Sequence, residues 1–271
     1  MASQATGKSK AYNLLNSEDV LSTIKCLKKL GTKINLKKNY CEIIGPGLNN
    51  FDFKKNLTLN AGNSGTFGRL ILGLLIHCPH KIKLIGDKSL SKRDFSRVIN
   101  PLKNFGANFY QNKKSNLPLY IQGTKYVRPI KYYENRGSAQ CKSSVMFAAL
   151  NTPGKTLIKA KKSRDHTEIL FKHLKIPIKI KKKKNFDLIE VEGKQNFLAF
   201  NYKIPADISS SAFFIVLTLL SKASKLTIKN VNLNPSRIGI ITILNKMGAR
   251  IILKNKKIYK GEKISDIFVK S

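Results

Sequence analysis

Three short turns of small polar residues carry most of the chemical promise of this 271-residue chain. Each runs straight into an apolar stretch. Asn60-Ala61-Gly62-Asn63-Ser64-Gly65-Thr66 precedes Phe67–Ile76, Gly137-Ser138-Ala139-Gln140 precedes Cys141–Leu150, and Ala206-Asp207-Ile208-Ser209-Ser210-Ser211 precedes Ala212–Leu220. Such a pattern predicts a helix start, where backbone N–H groups lack intrahelical partners and the helix dipole is positive. With few bulky side chains in the way, each turn is a candidate anion site, and three of them predict helix ends converging on one anionic ligand. Asp207 is expected to cap its helix rather than to act as an acid or base. Cys26, Cys41, Cys78 and Cys141 show no CxxC pairing and lie in apolar segments, which predicts buried free thiols in a reducing compartment. His77-Cys78-Pro79-His80 reads as a helix-end turn and not a metal set, because Pro79 interrupts it and no matching pair stands elsewhere.

The elements that must position these turns also recur. Amphipathic helices end in Leu27-Lys28-Lys29-Leu30-Gly31, Leu102-Lys103-Asn104-Phe105-Gly106 and Leu244-Asn245-Lys246-Met247-Gly248, with a weaker copy, Phe171-Lys172-His173-Leu174-Lys175, lacking the glycine. Their last positions fall 75, 69 and 73 residues apart, the length of a small α/β supersecondary repeat. Val20, Leu21, Ile24, Leu27 and Leu30 share one helical face behind Ser17 as N-cap, and Phe95, Val98, Ile99, Leu102 and Phe105 share another, with Pro101 inside it. Asn234-Pro235 predicts an N-cap and a first helical residue, with Ile238, Ile241, Leu244 and Met247 facing inward. Phe67–Ile76 and Ala212–Leu220 are apolar nearly all round, so burial on every side is expected.

Strand-like runs fill the intervals: Lys33–Asn35, Cys41–Ile44, Lys81–Ile85, Asn108–Gln111, Leu119–Gln122, Thr156–Lys159, Ile178–Lys181, Leu188–Val191, Leu226–Ile228 and Arg250–Leu253. The fold class that follows is α/β (α+β). Repeated βαβαββ units form a prism of sheets with helices inside.

The charge is lopsided, with Lys+Arg 51 against Asp+Glu 15 and a formal net charge of +36. The lysines are scattered among strand residues instead of gathered in a tail, which reads as a compositional bias on exposed faces that favours anionic substrates. Lys179–Lys184 is expected at a hairpin tip. It has none of the aromatic interleaving of a nucleic-acid surface, so no nucleic-acid partner is expected. Met1–Asn13 has no hydrophobic signal segment, and no apolar run reaches the roughly 18–20 residues that span a bilayer. A soluble cytoplasmic protein with no membrane partner is expected.

Six motifs stand in order: Gly62-Asn63-Ser64-Gly65-Thr66 with Arg69; Gly86-Asp87-Lys88-Ser89-Leu90-Ser91-Lys92-Arg93; Gly137-Ser138-Ala139-Gln140-Cys141-Lys142-Ser143; Ser163-Arg164-Asp165-His166-Thr167; Asp207-Ile208-Ser209-Ser210; and Asn234-Pro235-Ser236-Arg237. Together they resemble the 5-enolpyruvylshikimate-3-phosphate synthases, over essentially the whole chain. The resemblance implies an enolpyruvyl transferase-like, inside-out α/β prism. The implied reaction moves the carboxyvinyl group of phosphoenolpyruvate to the 5-hydroxyl of shikimate-3-phosphate, releasing phosphate, on the route to chorismate and the aromatic amino acids. No metal and no organic cofactor is implied.

By position, Asn63, Gly65, Thr66, Arg93 and Gln140 match the family's phosphoenolpyruvate site. Ser138, Ala139, Gln140, Ser163 and Arg164 match its shikimate-3-phosphate site. Arg69 is expected to be a buried structural arginine paired with a carboxylate. Phe67-Gly68 and Asp94 are local departures from the family pattern.

Two larger departures concern the ends. The family's N-terminal Lys-Ser-x-Ser-x-Arg segment is not matched at the start of this chain, where Met1–Asn13 aligns with the region just after it, and the sequence stops at Ser271, ahead of the half that supplies the catalytic aspartate, lysine and glutamate. The expectation is therefore a truncated chain. Residues 1–204 would form a three-repeat substrate-binding domain whose first repeat is short at its N-terminal strand. Residues 205–271 would begin a second, incomplete domain. No catalytic residue is expected in this chain, little activity is expected from it alone, and the complete enzyme is expected to be a monomer. Two other readings are a UDP-N-acetylglucosamine enolpyruvyl transferase, disfavoured because the motifs follow the shikimate enzyme and no cysteine-bearing catalytic loop is present, and a non-catalytic basic remnant that binds polyanions.

Overall fold

The structure is a computed structural model that describes residues 1–111 and 114–271. Among these the chain forms fifteen strands and seven α-helices and divides into two units, 1–163 with 174–202 and 164–173 with 203–271.

One repeat is written four times. The second copy runs β4 (Thr58–Asn60), α2 (Gly65–Leu74), β5 (Ile82–Ile85), α3 (Ser96–Asn104), β6 (Asn108–Gln111) and β7 (Leu119–Gln122). The third runs β8 (Lys131–Glu134), α4 (Ala139–Leu150), β9 (Lys155–Lys161), α5 (His166–His173), β10 (Ile178–Lys182) and β11 (Phe186–Glu192). Their sheets have the same order, β4-β5-β7-β6 and β8-β9-β11-β10, with the first pair parallel and the rest antiparallel.

The first copy contributes β1 (Thr6–Tyr12), α1 (Glu18–Lys29), β2 (Lys33–Leu36) and β3 (Tyr40–Pro46). Its edge position is taken by β12 (Asn201–Lys203), giving the order β12-β1-β3-β2, and Thr6 bridges Leu198 in parallel. In the fourth copy a single parallel bridge from Ala206 to Val231 stands in for the edge strand. It is followed by α6 (Ile208–Leu220), β13 (Lys225–Asn232), α7 (Gly239–Lys246), β14 (Arg250–Tyr259) and β15 (Glu262–Lys270), with sheet order β13-β15-β14.

Helix faces form where the periodicity puts them. Phe95, Val98, Ile99, Leu102 and Phe105 are all fully buried under the second sheet, and Ile24 and Leu30 anchor α1. Gly31, Gly106 and Gly248 end their helices with positive φ, and so does Lys175 at +56°, where an L side chain costs about 1 kcal/mol that glycine would not. Inside the first unit, α4 is buried along Cys141–Leu150, Lys142 included, and packs on α2. The approach is close because Gly73 has no side chain: a Cβ there would lie 2.1 Å from the Ser144 carbonyl oxygen. The Ser144 hydroxyl in turn donates to the Arg69 carbonyl at 2.8 Å.

Several expectations fail in instructive ways. Ser17 has the extended backbone of an N-cap, but its side chain makes no capping bond. The Asn234 amide oxygen accepts from the Ser236 N–H and hydroxyl in a turn, and α7 starts only at Gly239. Met247 lies on the outside at 76% exposure. Only Lys183 onward forms the basic hairpin tip, because Lys179–Lys182 belong to β10.

The largest failure is α6. The second unit has its own core of Ile208, Ile215, Val231, Leu233, Ile241, Ile267 and Val269. That core covers one face of α6, and the opposite face, Phe213, Phe214, Val216, Leu217 and Leu220, stays exposed. Burial on every side needs a layer on each face, and the described residues of the second unit supply one.

Candidate functional site

The N-termini of α2 and α4 meet, and the meeting is built from the two turns that open them. Ser64 caps α2 by accepting from the Phe67 N–H at 3.2 Å, and Ser138 caps α4 by accepting from the Cys141 N–H at 3.3 Å. Across the gap, the Gln140 amide donates to the Thr66 hydroxyl at 2.9 Å and its oxygen accepts from Arg69 Nη1 at 3.0 Å. Gln140 therefore ties one helix-opening turn to the other.

Gly65 is the floor of this site. A Cβ there would lie 2.9 Å from Arg93 Nη1 and 3.1 Å from Arg69 Nη1, so both guanidinium ends hang over the glycine. Arg69 is half-buried and its fork is otherwise committed. It donates to the Gly65 carbonyl at 3.3 Å and the Asp94 carbonyl at 3.4 Å, and lies 5.1 Å from the Phe95 ring centre. Burial pulls its pKa down; the nearby Cys141 pushes it up, and the charges of Arg93 and Arg97 pull it down further. Two cationic groups held side by side with no carboxylate between them leave an electrostatic demand that an anion can meet.

Carboxylates hold the frame from outside. Asp87 accepts from the Leu90 N–H at 2.7 Å and from the Asn63 amide, while its own N–H donates to the Gly62 carbonyl at 2.9 Å. The loop carrying Arg93 is thus clasped to the Gly62–Thr66 turn. The Leu90 N–H and then the Asn63 amide hold the Asp87 carboxyl below the usual carboxylate range. Glu134 is buried, accepts from the Ser138 N–H at 2.9 Å and the Arg136 N–H at 3.2 Å, and pairs with Arg97 at 3.4 Å. It fixes the turn ahead of α4 as Asp87 fixes the one ahead of α2.

The residues expected at the site are distributed as follows. Asn63, Gly65, Thr66, Arg93 and Gln140 come together at the α2 end, and Ser138 and Ala139 lead directly into Gln140 on α4. The Ser163 hydroxyl is buried without a hydrogen-bond partner, and the Lys162 carbonyl beside it comes within 3.1 Å of where a Gly137 Cβ would sit. Arg164 is exposed and falls in the second unit. In that unit Asp207 caps α6, accepting from the Ser210 N–H at 3.1 Å, and its other oxygen pairs with Arg237 at 2.8 Å.

A family model described as EPSP synthase (3-phosphoshikimate 1-carboxyvinyltransferase) matches residues 1–270. The chain belongs to the EPSP synthase family. It is 42% identical over 273 residues to the 3-phosphoshikimate 1-carboxyvinyltransferase of Caldicellulosiruptor saccharolyticus, covering 100% of this chain and 62% of that protein. It is 39% identical over 275 residues to the Petrotoga mobilis protein of the same name, again with 100% and 62% covered. Among solved structures, EPSP synthase from Acinetobacter baumannii superposes with a TM-score of 0.88 at 32% identity, covering 99% of this chain and 60% of that one. The chain thus spans about three fifths of the length of the curated relatives it matches. Among the described residues no helix is long and apolar enough to cross a membrane.

Set against this EPSP synthase frame, sequence reasoning missed three side chains. Arg69 is not paired with a carboxylate; its donors go to carbonyls and to Gln140, because the neighbouring Asp94 carboxylate is taken by the Ser96 N–H and hydroxyl, each at 2.7 Å. Asp87 sits three residues ahead of the Leu90 N–H that it accepts from, a spacing that signals a side-chain-capped turn. Glu134 carries no such local signal, since a buried acid four residues ahead of a helix N-cap looks like any strand end.

Proposed function

We propose that this chain forms the anion-binding part of an enzyme that transfers the carboxyvinyl group of phosphoenolpyruvate to the 5-hydroxyl of shikimate-3-phosphate, releasing phosphate. The observation that carries the reading is the convergence of the α2 and α4 N-termini beneath Arg69 and Arg93, tied together by Gln140.

Phosphoenolpyruvate is the ligand of the α2 end. Arg93 grips it with a planar fork, Asn63 and Thr66 supply turn donors, and Gly65 lets the backbone approach. Shikimate-3-phosphate is the ligand of the α4 end, held by the Ser138 hydroxyl, the Ala139 N–H and Gln140, with Ser163 adding a donor. Gln140 reaches both substrates and sets their distance, which lowers the entropic part of the barrier. The carboxylates near these ligands are engaged with backbone N–H groups, so the acid and base of the reaction come from outside this set. Residues 1–204 act as a three-repeat binding domain and 205–271 as the start of a second domain. The four buried free thiols support a reducing, cytoplasmic setting.

The test is calorimetric titration of the purified chain with phosphoenolpyruvate in the presence of shikimate-3-phosphate, alongside a phosphate-release assay. Saturable binding that weakens at least about tenfold in Arg93→Ala, with little turnover, is the expected result. Equal affinity in wild type and Arg93→Ala would refute the assignment. Phosphate release at the rate of a full-length enzyme would refute the restriction of this chain to binding.

A further inference from the structure

We infer that the outer face of the β8-β9-β11-β10 sheet is a docking surface for single-stranded nucleic acid, whose bases stack on Tyr133 and Phe186 while its phosphates meet the lysines around them. The inference is independent of the reaction proposed above. Every strand of this sheet lies in the first unit, and the alternation of side chains turns one side of each strand outward. That side carries Lys131, Lys155, Lys159, Lys161, Lys179 and Lys181 against Glu190 and Glu192. Glu190 pairs with Lys155 at 3.8 Å and with Lys179 at 4.0 Å. Among the described residues, no carboxylate lies within ion-pair distance of Lys131, Lys161 or Lys181.

The rings stand among these charges. In the register of the sheet, Tyr133 on β8 and Leu188 on β11 face Lys159 from either side. Lys159 Nζ lies 5.2 Å from the Tyr133 ring centre and 4.6 Å from that of Phe186. Tyr133 still shows 60% of its surface to water, and Leu157 and Leu188 help line a shallow cleft of about 600 Å³. A face so rich in ammonium groups is a poor apolar contact for another protein layer, because each head would have to shed its water. By charge, what fits it is an anion. An acidic peptide would use the lysines and leave the rings idle. A duplex is read by a helix or ribbon that enters a groove, which the face of a sheet does not supply. A single strand uses both features, laying phosphates against lysines and bases against rings. Sequence order hides the arrangement, because Tyr133 comes from β8 and the lysines it joins come from β9 and β10.

Fluorescence anisotropy of the full 271-residue chain with a labelled oligo(dT) of about 12 nucleotides decides the matter. At about 100 mM salt a micromolar dissociation constant is expected, at least about fivefold tighter than for a duplex of the same length. Tyr133→Ala should weaken binding at least about fivefold, whereas Tyr133→Phe, which keeps the ring, should change it by less than about twofold. Lys131→Gln with Lys181→Gln should cut the slope of log affinity against log salt by about 1.4, the share of two phosphates on a single strand. Lys37→Gln with Lys38→Gln makes the same change of charge between β2 and β3 and should leave affinity and slope in place. All these positions are exposed, so circular dichroism and the thermal midpoint should hold in every variant. No binding below about 100 µM, a duplex bound as tightly as the single strand, indifference to Tyr133→Ala, or an equal loss in the control pair would each overturn the inference. So would tighter binding of a polyglutamate peptide, or of phosphatidylserine vesicles, through the same lysines.

Discussion

Gly65→Ala separates the proposed anion site from the fold that carries it. Gly65 opens α2 and its φ lies outside the left-handed region, so the backbone accepts alanine. Helix propensity alone would make the variant up to about 1 kcal/mol more stable. The new methyl meets side-chain ends, at 2.9 Å from Arg93 Nη1 and 3.1 Å from Arg69 Nη1, with Leu90 Cδ1 at 3.6 Å. Arg93 is exposed and can swing aside by about half an ångström to normal contact distance at little cost. Arg69 is held by three hydrogen bonds and the Phe95 ring and moves less freely. The folded protein loses nothing of substance, but the volume between the two guanidinium ends is gone. An anion oxygen meant for that volume loses at least one charge-assisted hydrogen bond, about 1.5–3 kcal/mol, or roughly 10- to 150-fold in affinity. Titration with phosphoenolpyruvate should show this loss, while shikimate-3-phosphate affinity changes by less than about threefold and the thermal midpoint holds or rises. Affinity for phosphoenolpyruvate within about twofold of wild type would refute the placement of that anion over Gly65.

Three further outcomes follow from the same structure. Gly73→Ala drives a methyl to 2.1 Å from the Ser144 carbonyl oxygen, so α2 and α4 must separate, and the loss should be about 3 kcal/mol by urea denaturation. Glu134→Gln turns one acceptor of the Ser138 and Arg136 N–H groups into a donor and strips Arg97 of its counter-charge; a loss of about 2–4 kcal/mol is expected in the same assay. Burial, and then the charge of Lys194, lower the His77 pKa from 6.5 to about 4. The unfolded chain therefore takes up the proton first, and stability should be flat above pH 6.5, then fall by about 3 kcal/mol down to pH 4. His77→Leu should abolish that slope, and a slope of unchanged size in the variant would reject the assignment.

The repeat was legible because its outer helices are written in a strong code. Phe95, Val98, Ile99, Leu102 and Phe105 follow the helical period, a left-handed glycine ends the helix, and all five side chains are fully buried. Five strands went unseen, β1, β4, β8, β12 and β15, and three of them take their identity from neighbours. β4 is three residues long, and β12 is a strand only because β1 lies beside it. β8, Lys131–Glu134, reads as a charged loop until its tyrosines are set against β9. The burial of α6 was misjudged for the opposite reason. Composition states what a helix would prefer to contact, and the core of the second unit covers only one face of it.

At the site, the same distinction separates what could be read from what could not. Glycines, serines and threonines at a helix start are local signals, and Ser64 and Ser138 cap α2 and α4 where the turns predict. The pairing of those two starts is not local. Arg69 and Gln140 are 71 residues apart, and Gln140 and Thr66 are 74 apart, close to one repeat length. Because α2 and α4 hold the same place in successive repeats and pack side by side, their positive ends must arrive at the same level. Duplication of the repeat thus brings two helix N-termini together without any one copy encoding the pairing. What remains for individual residues is to keep the two turns in register, which is the work of Gln140 across the gap and of Asp87 and Glu134 behind it.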